Sequence, residues 1–324
     1  MGQDITLRPN GISVIICCYN SAKNISNVLR HIELQNCIAF PLEVVVVNNN
    51  SKDDTDSVVT SFINQSDLKI RLVFEPKPGL MYARELGLKE SKYQFIQFCD
   101  DDNLLSANYI ETVFRNLYND NTVGACGGMG VSLIDKKDEP YWFLKYSRAY
   151  AVGSQVKKSQ DHLYGAGMAI RYSALEAIYN NGFKSFLSGR KGNVLLAGDD
   201  GELVLALILK GYKLMASDEI YFQHIIPKER LNIKYLTKLH EGFGMMYPVI
   251  DMYRDIIKTK KVKSVFFYDL LFLTITLKSM GAILLKKGIE RSVQLSIVKG
   301  RIKGIFYFIN KKSQVLEVIK KIKK

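Results

Sequence analysis

Three consecutive aspartates, Asp100, Asp101 and Asp102, follow an apolar run at residues 93–99. Carboxylates this close repel one another and raise one another's pKa, and a bound divalent cation removes that repulsion. Mg²⁺ and Mn²⁺ prefer such oxygen ligands. Because open α/β sheets bind ligands beyond the carboxyl ends of their strands, the triplet predicts a metal site at a strand end. A solvated acidic turn is the alternative interpretation.

Two further segments carry groups that could bind a substrate. Asn48, Asn49 and Asn50 follow a second apolar run, and they form either a capped strand-to-helix turn or a nucleobase pocket. Residues 78–87 open a predicted helix at Gly79 and place Arg84 within it. A helix start with an arginine suits a phosphate, although an arginine on an exposed helix face is also common.

Two more features could take part in a reaction. Asp199 and Asp200 follow Gly198 at a predicted helix start, where the helix dipole favours ionised acids. Either both residues only stabilise the start of the helix, or one of them is a general base that acts on a bound substrate. His224 ends the next predicted strand, and it is structural unless the strand order brings it to the metal.

The elements that must position these groups alternate along the chain. Continuous apolar runs predict strands, helical spacing predicts helices between them, and the alternation predicts an α/β fold with a mostly parallel sheet flanked by helices. The predicted strands are residues 12–18, 42–47, 70–75, 93–100, 123–133, 163–170 and 212–224. The predicted helices are residues 21–35, 53–63, 79–91, 173–181 and 199–210, with a mobile loop at 186–198, an irregular segment at 134–161 and helices from 232 onward.

Length and composition fit a cytosolic α/β domain with an appendage. The chain has 324 residues, 47% of them hydrophobic, and five cysteines without a C-x-x-C pair, which indicates reduced core thiols. The first apolar run is too short for a signal peptide. The net charge is +13, and residues 256–324 carry 17 Lys and Arg against three acids, a net +14 that leaves −1 for the rest. A basic tail of this kind suggests an anionic partner.

Residues 264–285, within the tail, are almost continuously apolar and about long enough to span a bilayer. Asp269 and Lys278 interrupt the run, and each would be costly at the membrane centre. Lysines bracket the run on both sides. A helix lying on the membrane surface is therefore favoured over packing on the body or a true span.

Taken together and in this order, the segments between residues 12 and 235 resemble the family 2 glycosyltransferases, which have the GT-A fold. The resemblance is carried by Tyr19-Asn20, the 47–53 segment Val-Asn-Asn-Asn-Ser-Lys-Asp, Gly79 with Ala83-Arg84 and Gly87, the D-x-D motif at Asp100-Asp101-Asp102, Gly165-Ala166-Gly167-Met168 with Arg171, Asp199-Asp200 and His224. Two positions depart from the family pattern: Asn48 stands where an aspartate is usual, and Asp199 replaces a glutamate.

The resemblance implies a role for each matched residue. Asp102 and His224 would bind Mn²⁺ or Mg²⁺, and Asp200, with Asp199 beside it, would be the catalytic base. The implied donor site comprises Tyr19, Asn20, Asn48, Asn50, Arg84, Asp100 and Asp101. The implied acceptor side comprises Gly165, Ala166 and Trp142, and Trp142 is either a stacking platform for a sugar or a core residue.

The implied function is the inverting transfer of one sugar from a nucleotide-diphosphate sugar (a UDP-sugar favoured, a GDP-sugar possible) to a glycan or lipid-linked acceptor in cell-surface polysaccharide synthesis. The Gln-x-x-Arg-Trp motif of processive members is absent. We expect a catalytic domain at residues 1–230 and a helical region at 231–324, with the enzyme peripheral on the inner face of the cytoplasmic membrane, bound to its anionic surface.

Three alternatives stay open. The chain could be a non-catalytic relative that binds a nucleotide sugar, which Asn48 leaves possible. It could be a sugar nucleotidyltransferase, although residues 18–23 lack the glycine-rich loop of that class. It could bind nucleic acid through its tail, but the long apolar run fits lipid better, so no nucleic-acid partner is expected.

Overall fold

The structure, a computed structural model, describes residues 8–35, 40–158, 161–187, 190–191, 194–195 and 198–324. The chain forms two compact units that interleave in sequence. The first comprises Met1–Leu133, Gly153–Glu176 and Lys213–Ile225, and the second comprises Ile134–Val152, Ala177–Tyr212 and Ile226–Lys324. The two units are defined by how compactly their residues pack and not by function. The predicted boundary between a catalytic domain and a helical region after residue 230 therefore stays a prediction.

Strands and helices alternate in the first half of the chain, as predicted. The strands are β1 (Ile12–Cys18), β2 (Leu42–Asn48), β3 (Ile70–Phe74), β4 (Phe95–Asp100), β5 (Asn103–Leu105), β6 (Val123–Leu133), β7 (Ala169–Arg171), β8 (Arg190–Lys191), β9 (Val194–Leu195) and β10 (Lys213–Ile225). The helices are α1 (Ile25–Glu33), α2 (Thr55–Ile63), α3 (Leu80–Glu90), α4 (Tyr109–Asn119), α5 (Phe143–Tyr146), α6 (Tyr172–Asn180), α7 (Asp199–Leu209), α8 (Ile233–Thr259), α9 (Val265–Leu284), α10 (Gly288–Phe308) and α11 (Lys312–Lys323).

The first unit contains an eight-stranded mixed sheet in the order β3-β2-β1-β4-β7-β6-β10-β5. The strands β3, β2, β1 and β4 are parallel, whereas β7 runs antiparallel to both β4 and β6, and β5 runs antiparallel to β10. The α/β fold with a C-terminal helical region is thus confirmed. Register pairs Cys18 with Asn48 and Cys17 with Asp100, so the carboxyl ends of β1, β2 and β4 meet at one edge of the sheet.

Two predicted segments differ from the structure, and two observed elements were not predicted. The strand predicted at residues 163–170 is reduced to β7, because Gly167 adopts a left-handed φ of 68° and the chain turns there. The loop predicted at 186–198 contains the antiparallel hairpin of β8 and β9; the rest of it, apart from its ends, lies outside the described residues. Neither β5 nor α4 has a predicted counterpart, although the buried Ile110, Val113 and Leu117 show helical spacing.

The described cysteines lie in strands and are not in disulfides, as the sequence predicts. Cys17, Cys18, Cys99 and Cys126 are free thiols in strands of the first unit, while Cys37 lies outside the described residues. Burial raises the pKa of Cys17 to about 12, although the Arg84 charge lowers it. Burial likewise raises the pKa of Cys126 to about 12, so both thiols stay protonated at neutral pH.

The second unit is mainly helical. The helices α8 and α10 approach closely at glycines, since a Cβ atom on Gly300 would overlap the carbonyl oxygen of Glu241, and one on Gly304 would overlap that of Met245. The buried guanidinium of Arg301 in α10 pairs with Asp251 in α8. Small residues at the crossing therefore let the two backbones touch, and ion pairs of Arg301 with Asp251 and of Lys299 and Lys303 with Glu241 join the same two helices.

Candidate active site

The turns after β1 and β2 are joined by hydrogen bonds. Asn20 has a left-handed φ of 55°; its N–H donates to Ser51 Oγ over 3.0 Å, and its Oδ1 accepts from the Lys52 N–H over 2.8 Å. The hydroxyl of Ser21 donates to Asp101 Oδ2, which also accepts from the Tyr19 N–H over 3.4 Å. The turn that begins with Tyr19 is therefore fixed both to the asparagine segment and to the acidic cluster.

The three asparagines after β2 have different surroundings. The carboxamide of the buried Asn48 donates to Asp56 Oδ1 over 2.5 Å and accepts from the Ser51 N–H over 2.9 Å. It holds the turn, and contact with a nucleobase stays a prediction for this residue. Asn50 has a left-handed φ of 60°, is half-buried, and its Oδ1 accepts from Lys52 Nζ over 2.7 Å.

Asn49 is a residue for which the sequence indicates no separate role. Its buried Nδ2 donates to the carbonyl oxygens of Glu75 and Lys77, over 3.1 and 2.7 Å. Its Oδ1 accepts from the Gly79 N–H over 2.7 Å. The Asn49 carboxamide thereby fixes the start of α3, the helix that carries Arg84.

Close packing positions α3 against the sheet. A Cβ atom on Gly87 would overlap Ile15 of β1, so only glycine lets the helix approach this near. The Arg84 guanidinium lies 5.3 Å from the ring centroid of Phe98. The charge of Arg84 lowers the pKa of the Cys17 thiol and that of Asp100 raises it, which places both charges near the carboxyl end of β1. This arrangement leaves a cation and a carboxylate at the same sheet edge.

The predicted metal ligands lie side by side. The antiparallel pairing of β5 with β10 sets His224 opposite Asn103, and the Ile225 N–H donates to the Asp102 carbonyl oxygen over 2.9 Å. His224 Nε2 is consequently 3.5 Å from Asp102 Oδ2, and the two side chains are 12% and 16% exposed. Residues more than a hundred positions apart in sequence meet because β5 returns directly after the aspartates.

The electrostatics of this edge favour a cation. Burial, the charge of Asp102 and that of Asp100 raise the pKa of Asp101 to about 7, and the hydrogen bonds from Ser21 and Tyr19 oppose the rise only partly. Carboxylate oxygen and imidazole nitrogen are donors that Mn²⁺ accepts. In the described part of the chain, no three His, Cys, Asp or Glu side chains are arranged as a complete metal site. The Asp102–His224 pair thus offers two donor atoms, one oxygen and one nitrogen, that lie 3.5 Å apart.

Asn103 is a second residue that sequence reasoning missed. Its side chain is fully buried, and neither amide atom has a hydrogen-bond partner in the described residues. Directly paired residues of antiparallel strands share a face of the sheet, so Asn103 lies beside His224. An unsatisfied buried amide costs free energy until a polar partner arrives. Only the pairing of β5 with β10 reveals this residue.

The predicted acceptor-side segment forms the turn before β7. The Met168 N–H donates to the Gly165 carbonyl oxygen over 3.4 Å, and Ala166 is 8% exposed. The buried Tyr109 hydroxyl donates to the Gly167 carbonyl oxygen over 2.6 Å and accepts from the Gly128 N–H over 2.9 Å. This segment is thus a rigid glycine turn, and its contact with an acceptor stays a prediction.

The remaining predicted residues belong to the second unit. Asp199 and Asp200 start α7, as predicted; both are half-buried, and Asp200 Oδ1 accepts from the Gly201 N–H over 2.7 Å. Gly198 caps the helix with a left-handed φ of 105°. Trp142 is 6% exposed within an apolar cluster of this unit, which favours the core interpretation over sugar stacking, whereas Tyr141 beside it is 91% exposed.

Comparisons with known proteins agree with this geometry. The segment of residues 13–178, half of the chain, matches the family model for glycosyl transferase family 2. The glycosyltransferase GlyG of Streptococcus pneumoniae is 28% identical over 107 residues, which are 33% of this chain and 35% of that protein. The chain thus matches only about a third of the length of that curated relative.

Two solved structures are similar in fold. The mannosyltransferase PcManGT of Pyrobaculum calidifontis, in complex with GDP-Man and Mn²⁺, superposes with a TM-score of 0.59 at 20% identity, over 94% of this chain and 90% of that one. Residues 1–349 of Staphylococcus aureus TarS, in complex with UDP, give a TM-score of 0.50 at 15% identity, over 93% and 92%. Since the family model matches half of the chain, the chain belongs to glycosyl transferase family 2.

Proposed function

We propose that the chain transfers one sugar from a nucleotide-diphosphate sugar to a hydroxyl acceptor, with a divalent metal and with inversion at the anomeric carbon. The observation that carries this proposal is the Asp102–His224 pair, 3.5 Å apart at the edge of the sheet where β1, β2 and β4 end. Open α/β sheets bind their ligands at this edge.

The donor is proposed to be a UDP-sugar or a GDP-sugar. The two structural relatives bind UDP and GDP-Man, which supports a nucleotide-diphosphate donor without choosing the base. Tyr19, Asn20, Asn48 and Asn50 are proposed to surround the nucleoside, and Asp100 or Asp101 to accept hydrogen bonds from ribose hydroxyls. Arg84 would supply positive charge for the diphosphate.

Asp102 and His224 are proposed to hold Mn²⁺ or Mg²⁺. When bound, the ion would neutralise the negative charge that develops on the departing diphosphate. The chain's own contribution is to fix both ligands before the donor arrives: Asp102 by its place at the turn into β5, and His224 by its place on β10.

Asp200 is proposed as the general base. Its carboxylate lies in the first turn of α7, where the helix N-terminus carries partial positive charge. The carboxylate takes the acceptor's hydroxyl proton while that oxygen attacks the anomeric carbon from the face opposite the diphosphate. The bond from carbon to the diphosphate oxygen breaks, and the nucleoside diphosphate leaves with the electron pair. Such a base contributes about 10²–10⁴ in rate.

The acceptor is proposed to be a glycan or a lipid-linked glycan in cell-surface polysaccharide synthesis. The enzyme would then act as a peripheral protein on the inner face of the cytoplasmic membrane. The strongly basic C-terminal region supports this location, because each Lys or Arg near anionic lipid adds about 1 kcal/mol of binding.

Calorimetric titration of UDP and GDP, with and without Mn²⁺, tests the donor site. We expect one of the two nucleotides to bind more tightly with Mn²⁺, and Asp102→Ala and His224→Ala to lose that gain. Asp67→Asn, an exposed carboxylate on the loop before β3, serves as the control and keeps it. Metal-independent binding in all variants would refute the metal site. Tight binding without sugar transfer to any hydroxyl acceptor would favour the non-catalytic alternative.

A further inference from the structure

The helix α9 exposes a continuous apolar stripe to solvent. Within the described residues it is the one helix long and apolar enough to cross a membrane. Its stripe, called the α9 stripe below, repeats at alternating intervals of four and three residues and covers about 80° of the helix circumference over about 27 Å. Its members are Phe266, Leu270, Leu273, Leu277, Met280 and Leu284, which are between 46% and 83% exposed.

Three polar side chains of α9, those of Tyr268, Asp269 and Thr276, bond to groups of the protein. The hydroxyl of the buried Tyr268 donates to Asp255 Oδ2 in α8 over 3.1 Å. Asp269 pairs with Lys312 of α11, and the buried Thr276 hydroxyl donates to the Phe272 carbonyl oxygen over 2.7 Å. Surface helices of water-soluble proteins instead turn their apolar face toward the core and their polar face toward water. An exposed apolar face of this size marks contact with another apolar phase or surface.

The charges around the stripe are positive. The acids of residues 256–324 are Asp269, Glu290 and Glu317, and each pairs with a lysine. Lys278 is exposed at the flank of the stripe, and Lys286 and Lys287 follow its C-terminal end. A surface groove lies near the other end. It is lined by Val262, Glu317, Lys320, Lys321, Lys323 and Lys324.

We propose that the α9 stripe is a docking face for an anionic membrane, and that α9 lies along the membrane surface without crossing it. The apolar stripe would enter the boundary between headgroups and acyl chains, while the lysines at both ends reach lipid phosphates. This inference refines the membrane location within the proposed function. Vesicle binding, measured without donor or acceptor, tests it separately from sugar transfer.

A crossing orientation fits the structure less well. It would separate Asp269 from Lys312 and break the hydrogen bond from Gln294 Nε2 of α10 to the Ser279 carbonyl oxygen, 3.1 Å long. It would also move Lys278 into hydrocarbon, where charged groups are rare and costly. A second copy of the chain could cover the stripe, but that contact would bring the lysines of both copies together.

Flotation of the full-length protein with vesicles tests the proposal. We expect binding to vesicles that contain phosphatidylglycerol and release by alkaline carbonate. The double variant Leu273→Ser and Leu277→Ser should lower the partition coefficient about 20-fold. Each leucine is about half exposed in the protein, so about half of its free energy of transfer from water to lipid is gained on membrane binding, and the variant loses that gain. Lys286→Gln with Lys287→Gln should lower it about 30-fold on anionic vesicles only. The control Leu34→Ser, 63% exposed at the end of α1, should leave it unchanged.

Three results would overturn the proposal. The first is equal flotation of the leucine double variant and the wild type, with both shown to be folded by their thermal melts. The second is resistance of the bound wild type to carbonate, which indicates a membrane span. The third is a wild-type dimer in sedimentation velocity that the double variant abolishes, without vesicle binding by either protein; a second copy would then cover the stripe.

Discussion

Glu202 is a fully buried carboxylate one turn into α7, and its charge should make the stability of the protein depend on pH. Its Oε2 accepts from Ser185 Oγ over 2.8 Å, from the Phe186 N–H over 2.8 Å and from the Leu187 N–H over 3.1 Å. Its Oε1 has no hydrogen-bond partner in the described residues. The side chain thus fixes the segment that precedes the β8–β9 hairpin.

Burial raises the pKa of Glu202 from 4.5 to about 7, and the three hydrogen bonds lower it only partly. The folded protein therefore holds a proton that the unfolded chain releases between these two pH values. The stabilisation from the neutral form is fully present below about pH 4.5 and is lost as the pH rises through about 7. At about 1.4 kcal/mol per pKa unit, the loss amounts to about 3 kcal/mol.

The variant Glu202→Gln removes the charge and keeps an oxygen that can accept the three hydrogen bonds. We expect its unfolding free energy, measured in urea, to match the wild type near about pH 4 and to exceed it by about 3 kcal/mol near about pH 8. The control Glu111→Gln, on the exposed face of α4, should show no such pH-dependent difference. A Glu202→Gln difference that is equal at both pH values would refute the reasoning.

The variant Glu202→Ala tests whether the hydrogen bonds to Glu202 hold residues 185–187 in place. It leaves two N–H groups and a hydroxyl without their acceptor, at a cost of about 2–5 kcal/mol. Trypsin should then cleave the Glu202→Ala variant faster after Arg190 and Lys191, which form β8, whereas it should cleave Glu202→Gln no faster than the wild type. Faster cleavage of both variants would show that the charge itself, and not the acceptor oxygen, holds this segment.

Three further predictions follow from the described contacts. Asp200→Asn should lower kcat at least about 100-fold while calorimetric binding of the nucleotide is kept, and near-wild-type turnover would exclude Asp200 as the base. Asn49→Ala should lose about 2–3 kcal/mol of unfolding free energy in urea and raise the KM of the donor, since the start of α3 loses its anchor; an unchanged KM would separate Asn49 from the donor site. Gly300→Ala should destabilise by about 1–3 kcal/mol, because its Cβ atom meets the Glu241 carbonyl oxygen, whereas Gly281→Ala, with open space around it, should be neutral or stabilising in the same thermal melts.

Much of the first unit is predictable from the sequence. Fully buried parallel strands read as continuous apolar runs, so β1 and β2 are predicted within a residue of their observed ends. The polar residues at the ends of β1, β2 and β4 follow directly in sequence, and parallel pairing brings them together. The position of Asp100 at this edge of the sheet is therefore predictable from local pattern alone, whereas the role of the Asp100-Asp101-Asp102 cluster as a site stays a prediction.

The neighbours of that cluster depend on tertiary structure. The strand β5 has only three residues, which is too short to leave a period-two pattern, yet its antiparallel pairing with β10 places His224 against Asp102 and buries Asn103 beside them. The buried carboxamides of Asn48 and Asn49 look alike in sequence, but one holds a turn and the other anchors α3. Only the positions of their partners distinguish these roles.

In the C-terminal region, too, some properties follow from the sequence and others only from the tertiary structure. Its composition determines that it is basic and that residues 264–285 are apolar, because those properties belong to the residues themselves. The direction in which the apolar face points is decided by packing. Tyr268 and Asp269 are tied to α8 and α11, so the α9 stripe faces outward. Sequence thus determines which groups are present and how often they recur along an element, whereas tertiary structure decides which of them meet, because contacts between distant segments leave no local pattern.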